Sequence, residues 1–485
     1  MPQSIKQNTI SGVKWSAIEA YANQGIKFLL GMVMARLLLP SDYGIIEMVA
    51  VFFAVAQSFV DSGFGDALIR KQNRTEIDFS TVFYFNIAVS AVCYLILFFA
   101  APYIATFFKE PVLTDVVRVV GLTVVINSFK IVQHTRYVIS IDFKSIAKVT
   151  LVSQILSGLI GIALAYNGFG VWSLVYQNLL FSILSCVIML WMSKWRPLLK
   201  FSIKSFKEMF NYGSKMLAAG LVHTLYININ TFCIGKFYTP TDLGYYTRGC
   251  QFPQLLGGSI TTVTQRVTFP ILAKIQDDDE RLISVYRKYI KMISMVIIFA
   301  LMLLVALGKP LILFLLTDRW IDAVIFLQIF AFAMMTDHVA QINLNLLKVK
   351  GRSDLILRLE IIKKTISFII LFASIPFGVV AICLSKVVYS QIATIINTYY
   401  TGKLFGLGYL KQWGDFGCYF IYSLLACLPA FGMTFLPLPS LITLLIGIPM
   451  SVLLYFGILR INRDASFNEI YIDIKQKIAR RNAKQ

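Results

Sequence analysis

Residues 79–101 read FSTVFYFNIAVSAVCYLILFFAA and carry no charge. As an α-helix rising 1.5 Å per residue, this run is about 35 Å long, enough to cross a hydrocarbon layer of ~30 Å. Working outward from it, apolar runs recur along the chain, several with polar residues, and the spans at 13–38, 242–268 and 322–347 rest on the repeat described below. Fourteen spans are expected, at about 13–38, 42–64, 79–101, 113–133, 145–166, 170–192, 209–234, 242–268, 288–308, 322–347, 355–374, 378–401, 416–436 and 439–460. Of the 485 residues, 57% are hydrophobic and only 14% charged, where a soluble domain carries about 25% charged residues. A soluble globular enzyme is therefore excluded. Short strands of alternating polarity are absent, which excludes an outer-membrane barrel. The expected fold class is an all-α polytopic membrane protein.

The 45 Lys and Arg against 25 Asp and Glu give a net charge of +20. The bases sit in short loops between apolar runs. That distribution points to membrane topology and away from a nucleic-acid partner. With the N-terminus in the cytoplasm, 36 of the bases fall on inner segments and 7 on outer ones, which predicts that both termini are cytoplasmic. The polar stretch 1–10 does not read as a cleavable signal, so the first span starts near Val13. The seven cysteines form no CxxC pair, so neither a metal site nor a disulfide framework is expected. GxxxxGK[ST], HExxH and GxSxG are absent, and no loop is long enough to fold alone. No catalytic residue and no bound cofactor is expected; any energy input comes from an ion gradient, H+ or Na+, or from coupled glycan synthesis.

The chain repeats itself. Pro40-Ser-Asp42-Tyr-Gly44 follows the first span and Pro240-Thr-Asp242-Leu-Gly244 the seventh, 200 residues apart. Phe169-Gly170-Val171 and Phe377-Gly378-Val379 recur before the sixth and twelfth spans, and Gly12-x-Lys14 resembles Gly213-x-Lys215. Six spans separate the copies, so both have the same orientation, as in transporters built from parallel repeats around a central site. The expected organisation is a six-helix lobe at 1–200, a second at 201–412, two further membrane helices at 413–460 and a basic cytoplasmic tail at 461–485. The tail places Phe467, Ile470, Ile474 and Ile478 on one face, the pattern of a helix lying on an anionic leaflet.

Four stretches carry a family resemblance: Thr9-Ile-Ser-Gly-Val-Lys-Trp-Ser16; Ala35-Arg-Leu-Leu-Leu-Pro-Ser-Asp-Tyr-Gly44; Asp61-Ser-Gly-Phe-Gly65 with Ile69-Arg-Lys71; and Phe269-Pro-Ile-Leu-Ala-Lys-Ile-Gln-Asp277. Together they resemble the polysaccharide transporter family, the Wzx-type flippases. That family lies in the multidrug/oligosaccharidyl-lipid/polysaccharide (MOP) exporter superfamily, which also holds the MATE exporters and the lipid II flippase. The resemblance covers residues 8 to 460 and implies two six-helix lobes plus an extra helix pair. It also implies a substrate and a place: undecaprenyl-diphosphate-linked oligosaccharide, moved across the bacterial inner membrane for O-antigen, capsule or exopolysaccharide assembly. Membrane lipids, a polysaccharide polymerase and chain-length machinery are the implied partners. A MATE-like ion-coupled exporter of small molecules is the alternative. A polytopic polymerase or ligase is disfavoured by the short outer loops.

Charges at membrane depth are costly, about 2.5–3.5 kcal/mol on insertion scales, and therefore mark candidate sites. Span one carries Glu19, Asn23 and Lys27 on one helical face. They read as a cavity wall or as a self-neutralising pair. Glu47 and Asp61 lie on span two, where Asp61 can also cap a turn. Asn228 stands in the polar span seven. Arg248 and Gln251 stand in span eight, and the guanidinium fork suits a diphosphate or snorkels to the interface. Asp337 in span ten can take a proton. Lys386 in span twelve can hold a phosphate or pair with an acid. The expected substrate set is thus Lys27, Arg248, Lys386, Asn23, Asn228 and Gln251, and the coupling or charge-pairing set is Glu19, Glu47, Asp61 and Asp337. The three cations are expected to line one cavity.

Overall fold

The computed structural model describes residues 3–61 and 63–482. The side chains of 3–14, 16–20 and 259–267, and several in the last helix, lie outside that description. In chain order the helices are α1 (Gln3–Leu37), α2 (Pro40–Asp61), α3 (Phe64–Arg70), α4 (Glu76–Phe108), α5 (Leu113–Ile139), α6 (Phe143–Tyr166), α7 (Val171–Met192), α8 (Ile203–Phe237) and α9 (Pro240–Ala273). They continue with α10 (Asp279–Leu315), α11 (Ala323–Met334), α12 (Asp337–Val349), α13 (Ser353–Ser374), α14 (Val379–Phe405), α15 (Tyr409–Met433), α16 (Ser440–Ile461) and α17 (Ala465–Asn482). No strand occurs among the described residues. The fold is the expected all-α one.

Each of the fourteen expected spans falls on helix, the one at 322–347 as the pair α11 and α12. Among the described residues ten helical stretches are long and apolar enough to cross a membrane. The stretches at 13–38, 113–133, 242–268 and 355–374 are helical without meeting that measure.

The chain divides into two compact units, Met1–Gly244 and Tyr245–Gln485. In the first, α1 packs on α6, α4 on α5, and α7 on both α5 and α6. Helix α2 contacts α4, α5, α7 and α8. The short α3 anchors the end of this bundle by inserting the buried Phe64 against Phe85 and Phe206. Thr75 and Asp78 form a capping box that starts α4. The indole of Trp195 donates to Glu76, which also pairs with Arg136 at 3.0 Å.

The two Pro-x-Asp-x-Gly turns are built alike. Leu39 N donates to the Asp42 carboxylate at 2.9 Å, and Thr239 N to the Asp242 carboxylate at 3.2 Å. Each proline occupies the first position of its helix, where its missing N–H costs nothing. The turns also meet. A Cβ added to Gly44 would stand 1.7 Å from the Pro240 carbonyl oxygen, and one added to Gly244 would stand 2.0 Å from that of Pro40. Only glycine permits such a backbone approach. Gly170 and Gly378, the recurring glycines before α7 and α14, both have positive φ, at 50° and 99°.

In the second unit α10 is the central strut, packed on α11, α12, α15, α16 and α17. Its Tyr286 hydroxyl donates to Gln412, whose amide is also paired with Asn343 at 2.9 and 3.1 Å. Arg287 reaches Asp415 through two hydrogen bonds of 2.8 and 2.7 Å, and Lys291 stands 3.3 Å from the same carboxylate. These contacts fix α15 to α10. Helix α17 is docked by Lys288 to Glu469, by Tyr419 to Asp464 and by Phe467 stacked on Phe456. Of the apolar tail face, Ile470, Ile474 and Ile478 lie outside the described residues.

Candidate functional site

Among the described residues, the expected site residues gather with other polar side chains at two places, one in each unit. In the first unit, Lys27 projects from α1 over the Phe181 ring of α7, 6.0 Å from its centroid. Lys130 of α5 lies 5.6 Å from the same centroid and donates to Ser185 at 2.7 Å. One aromatic face system therefore serves two ammonium groups, a cation–π arrangement favourable to each. Asn23, one turn earlier on α1, has a buried Oδ1 without a hydrogen-bond partner among the described residues. Glu19 lies outside the described residues.

Lys130 also borders a cavity of about 620 Å³ at the C-terminal end of α2, together with Gln57, Asp61, Asp66, Asn127 and His134. Gln57 donates to Asp61 at 2.9 Å. Asp61 thus opens onto this cavity while hydrogen-bonded within its own helix. Glu47 is half-buried on α2. Asn228 is tied to its own helix by a 2.8 Å bond to the Thr224 carbonyl. A separate hollow of about 450 Å³ between α2, α4 and α8 is walled by apolar side chains, Phe52, Phe59, Ile96 and Phe232 among them. Outside the spans, burial works against the Lys71 ammonium. Its hydrogen bonds to Glu208 (2.9 Å) and Asp78 (3.1 Å) outweigh burial and raise its pKa above the usual lysine value.

In the second unit Arg248 donates to Gln251 at 2.7 Å, so these two expected residues are neighbours on one helix face. Lys386 lies beside Asp337, Cys250 and Cys383. Asp337 stands at the start of α12, where the membrane-length segment is broken after Met334. The break frees the Ala333 carbonyl, which accepts from Ser390 Oγ at 2.6 Å. The same hydroxyl lies 3.2 Å from Asp337 and 3.1 Å from Thr336. Helix α14 thus repairs the interruption with a side chain, as broken membrane helices require. A carboxylate, a cation and a helix N-terminus converge there.

The structure therefore brings Lys27 and Lys130 to one ring, Asp61 and His134 to one cavity, Arg248 to Gln251, and Asp337 to Lys386. Lys130 and His134 were missed in the sequence. Both fall at the basic end of span four, where they read as ordinary cytoplasmic flank. Their spacing of four on one helix was the available signal.

The model of a family described as polysaccharide biosynthesis protein matches residues 33–325. The chain belongs to the polysaccharide biosynthesis protein family. Among family-related chains, the teichuronic acid biosynthesis protein TuaB of Bacillus subtilis (strain 168) is 27% identical over 358 residues, 73% of either chain. The lipopolysaccharide biosynthesis protein WzxC of Escherichia coli (strain K12) is 22% identical over 405 residues, 81% of this chain and 80% of WzxC. The solved structure of the lipid II flippase MurJ in an inward closed conformation matches with a TM-score of 0.74 at 13% identity, over 92% of this chain and 98% of MurJ. The fold of this family member is thus that of the lipid II flippase MurJ.

Proposed function

We propose that the protein is a flippase that moves undecaprenyl-diphosphate-linked oligosaccharide from the inner to the outer leaflet of the bacterial cytoplasmic membrane by alternating access. Membership of the polysaccharide biosynthesis protein family carries this reading. Each unit by itself offers more than one cation to a diphosphate, Lys27 and Lys130 in the first and Arg248 and Lys386 in the second. Asn23, Asn228 and Gln251 add neutral hydrogen-bonding groups to these walls. The apolar hollow of α2, α4 and α8 suits the hydrocarbon of the carrier.

Asp337, at the helix break beside Lys386, is the candidate coupling group for H+ or Na+, with Glu19, Glu47 and Asp61 as further charge partners. The chain's own repeat supports lobes at 1–200 and 201–412, followed by the pair 413–460 and the tail. The loop charges support both termini in the cytoplasm. A polymerase and chain-length regulator are its working partners. A MATE-like exporter of soluble cations is disfavoured by the cations themselves.

Deletion of the gene tests the reading. Loss of a surface polysaccharide, with lipid-linked repeat units accumulating inside and restored by the wild-type gene, is the expected outcome. Unchanged polysaccharide and no accumulation would overturn it.

A further inference from the structure

The cavity at the end of α2 has a chemistry different from that of a phosphate site. Its volume of about 620 Å³ falls within the ~300–1,000 Å³ usual for small-molecule sites. It presents two carboxylates, Asp61 and Asp66, against one ammonium, Lys130, so a dianion is not its natural occupant. The remaining polar side chains are the Gln57 and Asn127 amides, the His134 imidazole and the Thr135 hydroxyl. Asn127 Oδ1 is buried without a hydrogen-bond partner among the described residues. His134 is exposed to the cavity. Carboxylates, amides and imidazole accept from, and donate to, adjacent hydroxyls, and ionised acceptors make the stronger bonds. A neutral polyhydroxylated ligand fits this set. Lys130 connects the cavity to Lys27 through the shared Phe181 ring.

We propose that this cavity is a saccharide-binding subsite that holds the sugar residues next to the diphosphate, with Lys27 and Lys130 holding the phosphates. The proposal rests on the flippase reading above and adds to it where the glycan is recognised. The carboxylates of Asp61 and Asp66 accept from sugar hydroxyls. Asn127 and His134 complete the ring of partners. Discrimination among glycans then resides in α2, α3 and α5, because a buried polar group left unpaired by a wrong sugar penalises binding.

The chain has three histidines, His134, His223 and His338, so the imidazole C2–H signals of the full-length protein in nanodiscs are few enough to follow one by one. The His134→Gln variant identifies the His134 signal. Three probes are titrated: lipid-linked saccharide extracted from the deletion strain, the oligosaccharide released from it by mild acid, and undecaprenyl diphosphate without sugar. The first two are expected to shift the His134 signal saturably, and the third to shift it less than either. In the double variant Asp61→Asn, Asp66→Asn the affinity for released oligosaccharide should fall roughly tenfold or more, the loss of charge-assisted hydrogen bonds. Lys27→Gln should weaken undecaprenyl diphosphate while leaving released oligosaccharide bound. The histidine spectrum reports folding of each variant independently.

Lipid-linked saccharide that binds while the His134 signal stays fixed overturns the subsite and leaves the flippase reading intact. Equal shifts from undecaprenyl diphosphate alone also overturn it, because the cavity then reads phosphate. No binding of lipid-linked saccharide by any measure overturns both.

Discussion

Substituting Gly44 with alanine places a methyl group where the first turns of α2 and α9 cross. The new carbon would lie 1.7 Å from the Pro240 carbonyl oxygen and 2.5 Å from its carbon, whereas ordinary contact starts at 3.4 Å. The obstruction is backbone, so no rotamer change relieves it, and the two turns must part by roughly 1.5 Å. Overpacking of this kind costs about 1–3 kcal/mol, and a fixed carbonyl puts it at the upper end. Such a cost shifts a conformational equilibrium by roughly a hundredfold. Gly44→Ala is therefore expected to depopulate the crossed state, lowering the melting temperature of the protein in nanodiscs and the rate of polysaccharide export. Gly244→Ala should do the same, slightly less, given its 2.0 Å approach. Gly220→Ala, in the interior of α8 with open space around it, is the control and should be neutral or stabilising by about 0.5–1 kcal/mol. Wild-type melting and export from Gly44→Ala would refute the close crossing.

Asp415→Ala leaves Arg287 and Lys291 without their shared acid. Both cations are nearly half exposed and regain water, so the loss should be about 1–3 kcal/mol, below the 3–5 typical of a fully buried pair. It is read as a lower melting temperature and easier proteolysis between α14 and α15. Ser390→Ala removes the donor to the Ala333 carbonyl and the neighbour of Asp337; export should fall while protein level holds, and a normal export rate argues against a working helix break. Lys27→Gln and Lys386→Gln should each abolish export without loss of protein, whereas full export from both sinks the cationic reading. A cysteine at Lys200 in a cysteine-free background should resist an impermeant reagent in whole cells; labelling there reverses the topology.

Ten of the helical stretches were legible from apolar length, because a bilayer leaves a spanning backbone no other way to satisfy its polar groups; those at 13–38 and 242–268 were legible only through the repeat. Residues 79–101 lie inside α4, and the recurrence of Pro40 and Pro240 did mark equivalent helix starts. The break between α11 and α12 was not legible. No glycine or proline marks Met335 or Thr336, and the interruption is held by Ser390 from another helix. Candidate charges were legible one helix at a time, since a charge in an apolar run stands out. Their partners were not. Lys27 and Lys130 share a ring on α7, and Asp61 meets His134 across a cavity, relations set by packing between segments far apart in sequence.

The crossing of the two Pro-x-Asp-x-Gly turns also bears on ancestry. In a symmetric pair of identical chains one patch meets its own copy across a twofold, so every contact is made twice. Gly44 against Pro240 and Gly244 against Pro40 is that arrangement on a single covalent chain. A half-length precursor pairing with itself would have built both halves from one glycine codon. Any mutation of that codon would have struck both sides of the contact together. Fusion of two such copies would remove that linkage, and each glycine would then answer only for its own approach. A chain with alanine on one side alone is a variant that such a precursor could never have tried.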